Sequence, residues 1–287
     1  MKKQTIMIFL GSVLLLSGCG ASGPIMQPTD NQTTVTAQTT QTTAAATTAA
    51  ATTVAAEPTL PPNTSGKVEI RTISGALTTP FNSYLITSAE GETAVIDPLM
   101  MPSKKKLNID PVIIASTHNH DDHNDQAFTN SYDCEKIIRK LADVKVGGFH
   151  VYTIESSHSN DVINSSGGNT LIVFEVNGLR IVHMGDIGQT SLTEEQLELI
   201  GPIDIAFMQF ENTYSYMTLD NEKGFTLIEQ LNPKIIIPTH YTENSIPVLV
   251  EKYGEIQYFD DLLAVSTDDL PQDTMNVYII RNNYLFD

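Results

Sequence analysis

The chain has 287 residues, of which 34 are acidic and 16 basic, so its formal net charge is −18 with histidine neutral. This balance argues against nucleic acid as a partner, because phosphate backbones are held by clustered cations. A hydrophobic content of 41% supports a packed core and excludes a wholly disordered chain. The two cysteines, Cys19 and Cys134, are too few for the disulfide framework of a small secreted domain.

The N-terminus has the pattern of an export signal. Two lysines at positions 2 and 3 precede an apolar run, Ile6 to Leu16, that is too short to span a bilayer but suits a signal peptide. The run ends in Leu-Ser-Gly-Cys at Cys19, which resembles the lipobox of bacterial lipoproteins. The resemblance implies a signal over residues 1–19 and a lipid anchor at Cys19 on the extracytoplasmic face of the membrane. An ordinary signal peptide with an incidental cysteine is the alternative.

Residues 20–66 form a compositionally distinct segment. Threonine and alanine dominate it, prolines follow at positions 58, 61 and 62, and large apolar side chains are few. Such a segment cannot bury enough surface to offset its ordering entropy, so it predicts a disordered tether. The remaining residues, 67–287, are the predicted folded domain.

Short β-rich runs recur through this domain, with segments of helical spacing between some of them. The predicted strands are KVEIRTI, NSYLITS, TAVID, PVIIAS, FHVYTIE, NTLIVFEV, LRIVHM, DIAFMQF, KIIIP, IQYF and MNVYII. The predicted helices are CEKIIRKLAD, TEEQLELI, GFTLIEQL and SIPVLVEKY. Asn177-Gly178 between two apolar runs predicts a type I′ hairpin. Early hairpins and later strand–helix alternation indicate an α/β fold, with sheets covered by helices.

A histidine cluster follows the strand PVIIAS. In an extended segment, residues i and i+2 point the same way, so His118 and His120 can bind one ion together. Asp122 and His123 follow where the chain is expected to turn into a helix, and they can face a second ion. Imidazole and carboxylate ligands suit divalent metals, zinc above all, with manganese or iron as alternatives. A surface histidine run is the competing interpretation, but it does not explain a position directly after a buried-type strand.

The spacing H-x-H-x-D-H after an apolar strand resembles the metallo-β-lactamase superfamily. The rest of that pattern follows in chain order: Asp97 ends TAVID, His158 lies in ESSHSND, Asp186 in HMGDIG and His240 in KIIIPTHY. The sequences of the motifs HMGDIG and PTHY are most similar to those of the branch that contains ascorbate-6-phosphate lactonase and related hydrolases.

The resemblance implies an αββα sandwich with a two-metal centre at one edge. One ion would be held by His118, His120 and His158, the other by Asp122, His123 and His240, with Asp186 as the bridge. Each ion would keep an open position for water, as catalytic sites require, and a metal-activated hydroxide would cleave an ester, lactone, amide or phosphodiester bond. Asp122 would orient that hydroxide or carry its proton.

Other polar residues near these motifs have supporting interpretations. Asp97 is expected behind the metal ligands, and His183 is interpreted as a partner of a ligand or a hydrogen-bonded core histidine. His150 has no metal-like spacing and is interpreted as structural. The segment FENTYSYM follows a predicted strand and either lines a substrate pocket, through Asn212, Tyr214 or Tyr216, or forms a packed loop.

Three functional classes remain open from the sequence. The first is a membrane-anchored metal-dependent hydrolase with a small-molecule substrate. The second is a redox centre, because flavodiiron proteins share the implied fold, but their first motif usually has Glu where this chain has His120. The third is a non-catalytic metal- or solute-binding surface lipoprotein. The sequence leaves the substrate, the metal and the oligomeric state open.

Overall fold

The computed structural model describes residues 59–76, 79–102, 107–163 and 168–281, which all lie within the unit 54–287. The predicted signal peptide, the predicted lipid-attachment site Cys19 and the predicted tether up to residue 58 lie outside the described residues. Leu60 is buried in an apolar cluster, and its N–H donates to the carbonyl of Leu107 at 3.3 Å. Packing onto the domain therefore starts ahead of the boundary that composition places at Lys67.

The described residues form strands that far outnumber helices. The strands are β1 (Val68–Ala76), β2 (Thr79–Thr87), β3 (Thr93–Ile96), β4 (Ile113–Ser116), β5 (Glu135–Ile138), β6 (Asp143–Val146), β7 (Phe149–Ser157), β8 (Gly168–Val176), β9 (Leu179–His183), β10 (Ile205–Gln209), β11 (Ile235–Thr239), β12 (Gln257–Phe259), β13 (Leu263–Val265) and β14 (Asn276–Ile280). The helices are α1 (Gln126–Asn130), α2 (Glu194–Ile200), α3 (Lys223–Leu231) and α4 (Ser245–Tyr253), with 3₁₀ turns at Thr213–Ser215, Leu219–Asn221 and Thr267–Asp269. Within this part of the chain, no helix is long and apolar enough to cross a bilayer.

Two mixed sheets pack face to face. One has the order β13-β1-β2-β3-β4-β5, and the other has the order β12-β14-β11-β10-β9-β8-β7-β6. Their inner faces share one apolar cluster, to which Tyr84 and Ile96 contribute from one sheet and Phe174, Phe207 and Ile237 from the other. Alternate residues face outward, where α2, α3 and α4 cover the larger sheet and α1 covers the smaller. The fold is the α/β sandwich of two mixed sheets, flanked by helices, that the sequence predicts.

The turn between β8 and β9 confirms the hairpin prediction. Asn177 and Gly178 both have positive φ, 47° and 82°, as a type I′ turn requires. The strands on either side pair antiparallel, with Val176 opposite Leu179.

The helix predicted for CEKIIRKLAD is wrong. Its apolar residues recur at helical spacing, but Glu135–Ile138 is strand β5, which pairs parallel with β4. Ile137 is fully buried in the cluster between the sheets, and Cys134 packs on the outer cluster beside it. Pairing with the neighbouring strand β4 therefore overrides local periodicity, which is a weak guide in short apolar runs rich in β-branched residues.

Strand direction places the candidate site at one edge of the sandwich. β3, β4 and β5 are parallel to one another, and so are β9, β10 and β11. β7 runs in the same direction as β9, because both are antiparallel to β8. Chain segments that leave the carboxyl ends of these strands meet at the same edge, where ligands of open α/β sheets usually bind.

Candidate metal centre

Each predicted ligand lies just beyond the end of a strand. His118 and His120 follow β4, His158 follows β7, Asp186 follows β9 and His240 follows β11. The ligand atoms of His118, His120 and His158 lie within 4.8 Å of one another. The same holds for His123, Asp186 and His240, and for His118, Asp122 and His123. The structure therefore brings all seven residues together, and Asp122 groups with His118 and His123.

The two oxygens of Asp186 face different histidines. Oδ2 lies 3.8 Å from Nε2 of His118 and 3.5 Å from Nε2 of His158. Oδ1 lies 3.3 Å from Nε2 of His123 and 3.3 Å from Nε2 of His240. One carboxylate thus separates two histidine sets, which is the arrangement that a bridging ligand between two cations needs.

The donor set fits divalent metal ions. Nε2 of His118, His123 and His158 and Oδ1 of Asp186 are buried without a hydrogen-bond partner among the described residues. Buried polar atoms without partners are costly, so a convergent group of them indicates a ligand that satisfies them together. His120 is exposed and Asp122 is half-buried, so the centre is open on that side, as a catalytic site is.

Asp97 fixes two of the imidazoles. Its buried carboxylate accepts Nδ1–H of His123 at 2.7 Å and Nε2–H of His183 at 2.6 Å. It also accepts the hydroxyl of Thr117 at 2.9 Å, and the Thr117 oxygen in turn lies 3.0 Å from Nδ1 of His118. With Nδ1 held from behind, Nε2 of His118 and of His123 is the ring atom directed at the centre.

Burial and neighbouring charge tune the same groups. Burial, together with repulsion from His123, lowers the pKa of His118 to about 2, and burial lowers that of His240 to about 4, so both rings are neutral at physiological pH. Burial opposes the charged form of His123, but Asp97 and Asp186 outweigh it and raise the pKa of His123 well above its ordinary value. Burial also opposes the charged form of Asp186, but His240 and His123 hold its pKa well below the ordinary value. A cation bound at Nε2 of His123 would take the place of its proton.

Both glycines of HMGDIG have a steric role. Gly185 has φ +55°, and a Cβ at this position would lie 2.6 Å from Cβ of Thr117. A Cβ on Gly188 would lie 2.6 Å from the carbonyl carbon of His158. The backbone N–H of Gly188 donates to the carbonyl of Ser157 at 2.7 Å. These close approaches fix the Asp186 loop against the loops that carry His118 and His158.

A cavity of about 380 Å³ opens onto the centre. It is lined by His120, Asp122, His158, Asp186, Asn212, Tyr214 and His240. From the segment FENTYSYM the lining therefore includes Asn212 and Tyr214, whose side chains differ in role. Tyr214 is 81% exposed at the rim, whereas Asn212 is 6% exposed and donates to Oδ2 of Asp186 at 2.8 Å. Tyr216 is 64% exposed and is not part of the lining.

The two remaining histidines contact carboxylates. His183 is buried behind the centre, between Asp97 and the rings of Tyr84 and Phe207. His150 lies near the start of β7 and bonds Asp143 and Glu175, both at 2.8 Å, so its contacts are structural.

A family model described as the beta-lactamase superfamily domain matches residues 80–240, which include the histidine cluster, Asp186 and His240. The chain belongs to the metallo-β-lactamase superfamily. It is 25% identical over 202 residues to a UPF0173 metal-dependent hydrolase of Methanocaldococcus jannaschii, across 61% of this chain and 88% of the relative. It is 26% identical over 218 residues to a UPF0173 metal-dependent hydrolase of Lysinibacillus sphaericus, across 64% of this chain and 91% of the relative.

The fold is shared with a solved structure of the same superfamily. A Thermotoga maritima protein superposes with a TM-score of 0.56 at 21% identity, across 75% of this chain and 100% of that one. At that level of identity the likeness shows the fold alone.

Several polar residues that hydrogen-bond residues of the candidate metal centre were not predicted from the sequence. Thr117 links Asp97 to His118, and the buried side chain of Asn169 accepts the N–H of Asp186 at 3.1 Å. Gln209 bonds Asn212 at 2.9 Å. Thr117 stands beside the histidine motif, where it could have been found. Asn169 and Gln209 lie within apolar strands and are brought to the site only by sheet pairing.

Proposed function

We propose that this chain is a hydrolase that works with two divalent metal ions, zinc being the ion that best suits its nitrogen and oxygen donors. The observation that carries the proposal is the division of the Asp186 oxygens, one facing His118 and His158 and the other facing His123 and His240. Naming of the curated relatives as metal-dependent hydrolases supports it.

The protein supplies positioning and a proton acceptor. Ions bound here would activate water and polarise the bond under attack. Asp122 lines the cavity and is half-buried, so its carboxylate can accept a proton at the open face. Asp97 holds the His123 ring and, through Thr117, the His118 ring, which reduces the reorganisation needed during reaction.

The substrate is proposed to be a small molecule with an ester, lactone, amide or phosphodiester bond. The cavity of about 380 Å³ falls within the range of about 300–1,000 Å³ usual for small-molecule sites. Tyr214 presents an exposed ring at the rim on which an apolar part of a substrate can pack. Lactones are the first class to test, because HMGDIG and PTHY resemble the lactonase branch.

The test is elemental analysis of the purified protein, followed by a screen of esters, lactones, amides and phosphodiesters with and without a chelator. We expect about two ions per chain and a hydrolysis that the chelator abolishes. His120→Ala and Asp122→Asn should lose that activity, whereas His150→Ala, a histidine bound to two carboxylates outside the centre, should keep it. Full activity in Asp122→Asn would contradict the proposed role of Asp122, and bound metal without any hydrolysis would favour the non-catalytic alternative.

We also propose that the protein is anchored at Cys19 on the outer face of the cytoplasmic membrane. Support comes from the sequence alone: a basic start, the apolar run Ile6 to Leu16 and the lipobox-like end. The full chain should be recovered with membranes, and a Cys19→Ala chain should leave that fraction. Equal recovery of both chains would refute the anchor without affecting the metal centre.

A further inference from the structure

Asn212 touches the carboxylate at the middle of the centre. Its amide Nδ2 donates to Oδ2 of Asp186 at 2.8 Å and to Oε1 of Gln209 at 2.9 Å, so both of its N–H groups are used. Its Oδ1 accepts the backbone N–H of Tyr214 at 3.0 Å. Nδ2 of Asn212 faces two acceptors and its Oδ1 faces a donor, so only one orientation of the amide group makes these hydrogen bonds.

A second buried amide holds the first. Gln209, at the end of β10, is fully buried, and its Nε2 donates to the carbonyl of Ile187 at 2.6 Å and to Oγ of Ser215 at 3.0 Å. Its Oε1 is therefore the atom that faces Asn212. Because Ile187 directly follows Asp186, the hydrogen bonds close a ring from Asp186 through Asn212 and Gln209 back to its own loop.

We infer that Asn212 is a positioning residue that holds the Asp186 carboxylate in the rotation where each oxygen serves a different ion. The inference rests on the proposed two-metal function. The terminal torsion of an aspartate is broad, so an unrestrained carboxylate can turn and chelate one ion with both oxygens. The bond from Asn212 occupies one side of Oδ2 and leaves its other side toward His118 and His158. Loss of that bond should therefore weaken one ion selectively.

The test is a titration of metal-free protein with cobalt(II) alone, followed by visible absorption, with zinc affinities from chelator competition. Wild type should bind two ions. Asn212→Leu, which removes the donor at similar volume, should bind the first ion and lose about 10- to 100-fold in affinity for the second. Gln209→Leu, which leaves Asn212 in place but unsupported, should shift the second ion in the same direction by less.

Gln196→Leu is the matched control. Gln196 is a buried amide that donates to the carbonyl of Glu155 at 2.8 Å and to Gln189 at 3.0 Å, without contact to Asp186. It should lower the melting temperature and still bind both ions as wild type does. Wild-type affinity for both ions in Asn212→Leu and Gln209→Leu would overturn the inference, as would an equal loss in Gln196→Leu. A wild-type protein that takes up fewer than two ions would instead remove the proposed function, and the inference with it.

Discussion

Asp97 is the residue whose replacement tests the architecture of the centre most directly. Asp97→Asn keeps the shape of the side chain but replaces one acceptor oxygen by a donor. In the native protein Oδ1 accepts the N–H of Thr117 at 2.8 Å, while Oδ2 accepts from His123 and His183 at 2.7 and 2.6 Å. An asparagine that keeps the bond to Thr117 turns its NH₂ group toward two ring N–H donors. His123 can then pair with the new NH₂ group only by giving up its Nδ1 proton, which leaves its remaining proton on Nε2, the atom that faces Asp186.

The magnitude follows from these contacts. A buried donor left without an acceptor costs about 1–3 kcal/mol, so the metal-free variant should lose stability in that range. A proton on Nε2 of His123 competes directly with metal, and loss of a carboxylate partner behind a histidine ligand lowers affinity about 10- to 100-fold, or about 1.4–2.7 kcal/mol. Because Asp97 also orients His118 through Thr117, we expect both ions to bind more weakly, in contrast to the selective loss expected for Asn212→Leu.

Zinc affinity is measured by chelator competition, and stability by urea unfolding of the metal-free protein. Glu175→Gln is the control, because Glu175 also bonds a histidine, His150, but at a partly exposed site. His150 lies near the start of the nine-residue strand β7, eight residues before His158. At about 3.3 Å per residue of strand, this spacing separates the two histidines by roughly 26 Å. The control should change stability by less than about 1 kcal/mol and leave zinc affinity unchanged. Native zinc affinity in Asp97→Asn would refute the reasoning.

Three further predictions concern the backbone at Gly185, the cavity rim at Tyr214 and the pH dependence of stability at His150. Gly185→Ala should lower the free energy of unfolding by more than about 2 kcal/mol, because a positive φ of +55° is combined with a Cβ contact at 2.6 Å to Thr117. Gly91→Ala is the control, because Gly91 has φ +92° but open space around it, and it should cost only about 1 kcal/mol. Urea unfolding of the two variants compares them. Tyr214→Ala should leave stability within about 0.5 kcal/mol and raise KM more than it lowers kcat; an unchanged KM would place substrate elsewhere. The hydrogen bond between His150 and Glu175 raises the pKa of His150 and lowers the pKa of Glu175. The loss of stability in His150→Ala should therefore be largest at about pH 5–6.5 and fade on either side; a loss that does not vary with pH would contradict this.

Motif order predicted which residues come together at the candidate centre, because a metal site restricts which residue types stand at strand ends. His118, His158 and His240 each follow a strand whose apolar run is visible in the sequence. The hairpin at Asn177-Gly178 was equally readable, since few residue pairs adopt positive φ twice in succession. These features are local, and each carries its physical reason within a few residues.

The features that sequence reasoning missed depend on partners distant in the chain. β5 is a strand because β4 lies beside it, and its own residues at helical spacing do not reveal that. Gln209 lies in the apolar run of β10, where a single polar residue indicates neither its neighbour Asn212 nor the Asp186 loop. Periodicity predicts which side chains are buried, but not which of the buried polar ones face one another.

Backbone conformation at the centre shows how such distant partners act on the ligands. Asp97 and His240 have φ of +43° and +38°, in the left-handed region that costs a non-glycine residue about 1–2 kcal/mol. Asp97 recovers this through its bonds to Thr117, His123 and His183, and each is worth more because the carboxylate is charged. At each of the two residues the strained turn ends a buried strand and directs the side chain toward the centre. The sandwich therefore holds the centre by fixing where each strand stops. A change that lengthens β11 by one residue should turn His240 away from the centre, and one that lengthens β3 should separate Asp97 from the two imidazoles it holds, with every residue of the centre still present.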